Sequence, residues 1–133
     1  LQAILEWWGT KDPAAYLSVP AAIRFQSEHN WDDVRHCCRE MLAGALADIE
    51  KQTGLPSIYS NDPNNFLQVG AALLPDDWQP EKLQGWLYEN HRIEIPVIQW
   101  GDQWLIRPSV QGYNTREDLD ALLNALEEYP GRK

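Results

Sequence analysis

Two runs rich in β-branched and aromatic residues lie close together in the last third of the chain, at 93–100 and 103–110. Gly101 and Asp102 fall between them, and Trp100 and Trp104 flank that pair. Two such runs joined by a short glycine-containing connection are typical of a β-hairpin. A hairpin makes at least one pair of strands antiparallel, so the sheet is not a purely parallel one.

The strongest helical pattern precedes the hairpin and covers about 23 residues after Asn30, a good helix cap. Gly54 is placed to end this helix in the left-handed conformation. The apolar positions recur at three- and four-residue steps, namely Val34, Cys37, Cys38, Met41, Leu42, Ala45 and Ile49.

Further elements are predicted on both sides of this helix. Pro20 divides the region from Ala14 to His29 into two helical pieces. A strand is predicted over 66–74 and a helix after Asp76, and a last helix is predicted with Asn114 as its cap and Glu117 as the capping-box partner. The order α, α, β, α, β, β, α indicates an α+β fold of two layers, with helices on one face of a sheet of about three strands.

Charge limits the ligands that the chain as a whole attracts. Among 133 residues, 11 are basic and 20 are acidic, which gives a net charge of −9. A nucleic-acid partner and an anionic membrane surface are both disfavoured by this average field. No apolar run is long enough for a transmembrane helix, and no signal peptide is apparent. We therefore expect no nucleic-acid partner and no membrane association.

Two further features bear on the setting of the chain. Cys37 and Cys38 are adjacent and have no C-x-x-C partner, so they are interpreted as small apolar helix residues in a reduced, cytoplasmic setting. Residue 1 is Leu and the single methionine is Met41. This indicates a fragment of a longer protein, a truncated gene or a processed product.

General catalytic motifs are absent from the sequence. No phosphate-binding glycine loop, zinc-protease motif or serine nucleophile elbow occurs. His29, His36 and His91 lack metal-ligand spacing, so no metal site is predicted.

Arg107 is an unusual residue for its position. It lies in a strand-like run beside Leu105 and Ile106, and alternation places it on the face opposite Ile106. A guanidinium there needs a counter-anion or an exposed edge, and its planar fork suits bidentate carboxylate binding. An internal acidic partner, simple exposure to solvent and a bound ligand all remain open from the pattern alone.

Gly9 and Thr10 stand before the first predicted helix, which begins at Asp12-Pro13. A hydroxyl close to the free N–H groups of a helix start suits an anion such as phosphate. A Gly-Thr pair before a helix is, however, usually just a turn and cap.

Three stretches of the chain resemble one family. The segments 8–23 (WGTKDPAAYLSVPAAI), 91–97 (HRIEIPV) and 106–120 (IRPSVQGYNTREDLD) are similar, in order and spacing, to class V aminotransferase-like enzymes of the isopenicillin N epimerase-like branch. The resemblance covers about the whole chain. It implies the C-terminal part of a pyridoxal-phosphate enzyme of fold type I that acts on a small amino-acid substrate.

The resemblance also implies a domain division and roles for individual residues. Residues 1–29 would form a connecting segment and helix from the large domain, and 30–133 the C-terminal small domain. Gly9 and Thr10 would come from the neighbouring subunit of a homodimer and contact the phosphate of pyridoxal 5'-phosphate. Arg107 would bind the substrate carboxylate.

The chain departs from the family pattern in two respects. Lys11, Lys51, Lys82 and Lys133 match no position of the family's cofactor-binding lysine, which lies upstream of the segment present here. Covalent attachment of the cofactor needs that lysine, so the chain alone is expected to be inactive. No cysteine occurs over 93–100, which argues against cysteine desulfuration and leaves epimerase, transaminase and lyase chemistry open.

A non-catalytic reading remains as the alternative. Seven tryptophans in an acidic α+β chain fit a free-standing module that binds a protein partner through exposed aromatic side chains.

Overall fold

A computed structural model describes residues 9, 12–59, 62 and 65–132. The chain divides into two compact units, the first ending at Asp32 and the second beginning at Asp33. The described elements follow in this order: α1 (Ala14–Leu17), α2 (Val19–Glu28), α3 (Trp31–Thr53), β1 (Ala72–Leu74), a 3₁₀ turn (Asp76–Trp78), α4 (Pro80–His91), β2 (Val97–Trp100), β3 (Gln103–Ile106) and α5 (Arg116–Glu128).

The first unit holds the two helical pieces predicted around Pro20. Helix α1 ends at Leu17, and α2 starts at Val19 with Pro20 in its first turn. Backbone N–H groups in the first turn have no acceptor within the helix, so the N–H that proline lacks is not missed there. Pro13 is the N-cap residue of α1, and the Oδ1 atom of Asp12 before it accepts a hydrogen bond from the N–H of Ala14 at 2.9 Å. Neither helix contributes a buried residue.

The sheet of the second unit is antiparallel, with the strand order β1-β3-β2. The predicted hairpin is confirmed: β2 and β3 pair directly, and Gly101 takes the left-handed φ of 59° that the tight connection requires. The register places Ala72, Ile106 and Val97 in one row across the three strands. The next row holds Leu73, Leu105 and Ile98, which alternation places on the opposite face.

The core lies on the face of Ile106, which is fully buried. Helices α3, α4 and α5 supply most of the other members of the same cluster, among them Leu42, Ile49, Leu83, Leu87, Leu122 and Leu126. The helices therefore cover one face of the sheet, and the predicted two-layer α+β class is confirmed.

The long helix α3 spans the 23 residues that its periodicity predicts. Its buried stripe contains Cys38, Leu42, Ala45, Leu46 and Ile49. Gly54 follows the helix with a φ of 69°, as expected of a C-terminal glycine. Cys37 is exposed and Cys38 is buried, so the two neighbours face different environments.

Two boundaries differ from the sequence prediction. Strand β1 covers only the last three residues of the predicted 66–74, and Val69 forms a single isolated bridge with Ser109. The cap of α5 is Thr115 with Asp118 as its capping-box partner, one residue later than Asn114 and Glu117. The side chain of Asn114 serves the preceding turn instead, since its Oδ1 accepts from the N–H of Gln111 at 2.9 Å.

Tyr129 directly follows α5, and its hydroxyl makes the stability of the second unit depend on pH in the alkaline range. Its hydroxyl donates to the carbonyl of Gln79 at 3.0 Å, and its ring packs edge-on against Trp86. Burial, with a smaller contribution from the negative charge of Glu81, raises the pKa of Tyr129 above its ordinary value of 10.0.

A raised pKa predicts a loss of stability above pH 10. In that range the unfolded tyrosine releases its proton while the folded one keeps it, so the unfolded state is increasingly favoured as pH rises. Urea unfolding between pH 8 and 11 should show this decline in the wild type and a shallower decline in Tyr129→Phe. Equal slopes for the two proteins would contradict the assignment.

Candidate functional site

Arg107 lies one residue beyond the end of the central strand β3. Its N–H donates to the carbonyl of Pro96 at 3.0 Å, which fixes the backbone at this point. Ile106, the residue before it, is fully buried, whereas Arg107 is exposed. The structure therefore bears out the orientation predicted from alternation, because an anchored Ile106 turns the next side chain away from the core.

Two prolines end the strand ladder around Arg107. Pro96 and Pro108 both accept backbone hydrogen bonds, from Arg107 and Gly70 respectively, but neither has an N–H to donate in return. Beyond Pro108 the pairing continues in irregular form, through the bridge between Val69 and Ser109 and the N–H of Val110, which donates to the carbonyl of Gln68 at 2.8 Å. Arg107 thus stands where the regular pairing of β3 with both neighbouring strands ends.

A groove of about 510 Å³ opens beside Arg107. Its walls are the segment 91–96 after α4, the stretch 107–109 after β3, and the first two turns of α5 with the loop before them. Ser109 and Tyr113 add hydroxyl groups to the lining, and both residues are exposed. The groove therefore joins three segments that are far apart in the sequence.

No acid neutralises Arg107 within the described residues. Its side chain makes no hydrogen bond or ion pair there. The carboxylate of Asp118, which also lines the groove, is engaged in the capping box and accepts from the N–H of Thr115 at 2.9 Å. An internal acidic partner, one of the three possibilities left open by the sequence, is thus absent from the part of the chain that the structure describes.

The second predicted site is seen only in part. Gly9 is exposed and left-handed, with a φ of 74°, and a Cβ added there would meet nothing within 4 Å. Thr10 lies outside the described residues. The start of α1 is occupied by the carboxylate of Asp12, so the described residues in this region do not by themselves form an anion site.

Other groups with functional chemistry are engaged elsewhere. His29 bonds to the carbonyl of Phe25, His36 lies 3.3 Å from Glu40, and His91 lies 3.8 Å from Glu128. Across the described ranges, no three His, Cys, Asp or Glu side chains are grouped to hold a metal ion. No helix among them has the length and apolar character needed to cross a bilayer.

Sequence reasoning missed Arg92, which lines the same groove as Arg107. It follows the last residue of α4 and has a left-handed φ of 57°. A charged residue at a position where glycine is preferred was the available signal, but recognising it needs the exact end of the helix.

Comparison with known proteins gives two relatives of the same kind. The chain is 32% identical over 124 residues to the isopenicillin N epimerase of Amycolatopsis lactamdurans. The aligned region covers 93% of this chain and 31% of that enzyme. It is 29% identical over 127 residues to the isopenicillin N epimerase of Streptomyces clavuligerus, covering 96% and 32%. The chain therefore spans about a third of the length of these relatives. No protein-family model matches it.

The resemblance to the isopenicillin N epimerase branch is confirmed. These relatives are class V aminotransferase-like pyridoxal-phosphate enzymes. A solved structure agrees at the level of the fold: 8-amino-7-oxononanoate synthase from Francisella tularensis, a fold type I enzyme, superposes with a TM-score of 0.57 at 20% identity. That match covers 81% of this chain and 31% of the synthase.

Proposed function

We propose that this chain is the C-terminal small domain of a pyridoxal-phosphate-dependent enzyme that acts on an amino-acid substrate, by an epimerase or aminotransferase-like reaction. Within it, Arg107 binds the substrate carboxylate. The observation that carries the proposal is an exposed guanidinium without an internal partner, held at the end of the central strand and beside a groove.

The chemistry of Arg107 fits this role. A guanidinium offers two parallel N–H groups to the two oxygens of a carboxylate, which fixes the orientation of the bound molecule as well as its charge. The backbone bond to Pro96 and the buried Ile106 hold the residue in place before any ligand arrives. The backbone of Arg107 is thereby fixed before binding, and its exposed side chain becomes ordered when the carboxylate binds.

The cofactor site is proposed from the resemblance and is incomplete in the described residues. Pyridoxal phosphate supplies an electron sink for carbanion chemistry at the α-carbon of an amino acid. Among the described residues, no lysine lines the groove beside Arg107. We infer that the attaching lysine belongs to the part of the longer protein that precedes this segment, so that the chain alone is inactive.

Gly9 and Thr10 are proposed to contact the cofactor phosphate of the neighbouring subunit in a homodimer. The left-handed backbone at Gly9 supports close approach of another group, since no atom of the described residues would lie within 4 Å of a Cβ at that position. Lys51 and Lys82 do not take the attaching role: Lys51 lines a different groove, and Lys82 donates to the side chain of Gln79 at 2.7 Å.

Cofactor binding provides the direct test of this proposal. The open reading frame that contains this segment should encode upstream sequence with a candidate lysine. The product of that frame, incubated with pyridoxal phosphate and dialysed, should keep the visible absorption band of a lysine-bound cofactor, and the 133-residue chain should not.

Two outcomes would contradict the proposal. One is a start codon close to Leu1, which would favour the free-standing interaction module. The other is a longer product without the absorption band, for which replacement of the candidate lysine by alanine serves as the matched negative control. Three of the five tryptophans among the described residues speak against the module, because Trp78 is buried and Trp86 and Trp104 pack against the core, whereas Trp100 is exposed.

A further inference from the structure

The turn 111–114 leads into α5, and its last two residues, Tyr113 and Asn114, line the groove beside Arg107. The N–H of Asn114 donates to the carbonyl of Gln111 at 2.8 Å, and the side-chain Oδ1 atom of Asn114 accepts from the N–H of Gln111 at 2.9 Å. One residue therefore closes the turn twice, once through its backbone and once through its side chain.

The side chain of Gln111 fastens this turn to the segment that precedes β1. Its Oε1 atom accepts from the Nε2 atom of Gln68 at 2.6 Å and from the N–H of Gly112 at 3.2 Å. The same Nε2 atom of Gln68 also donates to the carbonyl of Val110 at 3.2 Å. The turn is thus held from both sides, and the place of Asn114 within the groove is set with it.

The amide of Asn114 also reaches Asp118 on the first turn of α5. Its Nδ2 atom donates to the Oδ2 atom of Asp118 at 3.4 Å, and the same oxygen accepts from the N–H of Thr115 at 2.9 Å. Two consecutive residues therefore supply donors to one carboxylate oxygen. Because hydrogen bonds to an ionised acceptor are stronger than neutral ones, this pair of donors holds the carboxylate at the helix start.

The formal charges of the groove balance, since its lining holds two guanidinium groups, Arg92 and Arg107, and two acids, Glu94 and Asp118. Arg107 nevertheless makes no ion pair with either acid within the described residues. For Asp118 the structure gives the reason, because its carboxylate is engaged by the donors at the start of α5. The guanidinium of Arg107 is therefore open to a ligand only while Asp118 stays in this position.

Helix capping alone is the simpler account of this arrangement. An acid at the third position of a helix stabilises the helix start in any surroundings and needs no neighbouring groove. The N–H of Thr115 already supplies the capping-box hydrogen bond to Asp118, however. Asn114 lies before the helix, lines the groove and adds a second donor to the same oxygen, which capping alone does not require.

We propose that Asn114 is a positioning residue, which holds the carboxylate of Asp118 at the start of α5 and so keeps it from pairing with Arg107. The inference rests on the proposed function, in which Arg107 binds the substrate carboxylate, and deepens it. An internal carboxylate and the substrate carboxylate compete for one guanidinium, and Asn114 decides this competition by acting on Asp118 rather than on the substrate.

Asn114→Ala tests this inference in the cofactor-loaded longer protein. The variant loses the donor to Asp118 and the side-chain closure of the turn, so the released carboxylate should pair with Arg107. The concentration of the best-binding amino acid that half-saturates the change in visible absorbance should rise about fivefold to tenfold. The amine obtained by decarboxylation of that amino acid should bind within about twofold of wild type, since it does not need the guanidinium.

Rescue by Asp118→Asn separates competition from a general disturbance of the loop. The replacing amide can still accept from the N–H of Thr115 but carries no charge. The double variant Asn114→Ala/Asp118→Asn should therefore bind the amino acid within about twofold of wild type. Glu94→Gln, which neutralises the other acid of the lining, is the matched control and should not restore the binding lost in Asn114→Ala. If Asn114→Ala does not fold, Asn114→Ser also removes the amide that donates to Asp118 and takes its place.

The 133-residue chain gives a second readout that needs neither ligand nor cofactor. The Nε–H signal of Arg107, followed by NMR, should shift and exchange more slowly with water in Asn114→Ala, because the guanidinium becomes paired. It should return to its wild-type position in the double variant with Asp118→Asn.

The outcomes separate this inference from the proposed function. Unchanged amino-acid binding in Asn114→Ala, a loss that Asp118→Asn does not restore, or equal restoration by Glu94→Gln refutes the inference and leaves the role of Arg107 in place. If Arg107→Gln binds the amino acid as tightly as wild type, the proposed role of Arg107 fails and the inference fails with it.

Discussion

Truncation of Ile106 to alanine is expected to lower the free energy of unfolding by about 2–5 kcal/mol. Ile106 is fully buried on the central strand, and it lies in one row with Ala72 and Val97 of the flanking strands. The substitution removes contacts to both neighbouring strands and to the helices, and it leaves a cavity at the centre of the core. Urea unfolding followed by tryptophan fluorescence measures the change.

Two matched variants show whether the loss arises from burial. Ile106→Val removes one methylene and should cost about 0.5–1.5 kcal/mol. Leu67→Ala removes a similar side chain that is 70% exposed and should change the free energy of unfolding by no more than about 0.5 kcal/mol. A cost below about 1 kcal/mol for Ile106→Ala would mean that the core is centred elsewhere.

The sequence predicted correctly those helices and strands whose signals lie within their own residues. The hairpin follows from two strand-like runs and Gly101, and α3 follows from apolar steps that end at Gly54. The stripe of Leu119, Leu122, Leu123 and Leu126 in α5 is buried as its spacing predicts. In each case the residues that form the element also carry the signal, so no tertiary information is needed.

Strand β1 was overestimated because its limits are set by another part of the chain. Pro108 lies opposite Gly70 and offers no N–H, so the ladder between the strands is interrupted before the bridge at Val69. Gly70 also lies against α3, where an added Cβ would be 2.7 Å from the Cδ1 atom of Leu46. Neither constraint is visible in the residues 66–74 themselves.

In the candidate site, too, some features follow from one segment of the sequence and others need several segments to meet. Alternation along one strand was sufficient to predict that Arg107 faces away from Ile106. The groove beside it needs three segments to meet, 91–96, 107–109 and the start of α5, and no local pattern specifies their meeting. Arg92 was missed for this reason: only its place in the lining of that groove distinguishes it from an ordinary surface arginine.

Loss of the guanidinium at Arg107 is expected to weaken amino-acid binding by the complete enzyme by about 10- to 150-fold. This corresponds to the roughly 1.5–3 kcal/mol that a hydrogen bond to a charged group contributes. The change is measured in the cofactor-loaded longer protein, as the concentration of the best-binding amino acid that half-saturates the change in visible absorbance. Arg107→Lys should fall between wild type and Arg107→Gln, because lysine keeps the charge and loses the planar fork.

A ligand without a carboxylate separates recognition from folding. The amine obtained by decarboxylation of the same amino acid should bind wild type and Arg107→Gln within about twofold, since it makes no contact with the guanidinium. A general disturbance of the site would weaken both ligands equally, and intact binding of the amino acid to Arg107→Gln would remove Arg107 from the site. If the guanidinium of Arg107 binds the substrate carboxylate, Arg107→Gln must weaken binding of the amino acid and not of the amine. The substitution removes one charge and leaves Ile106 and the backbone bond to Pro96 in place, so the rest of the site is retained.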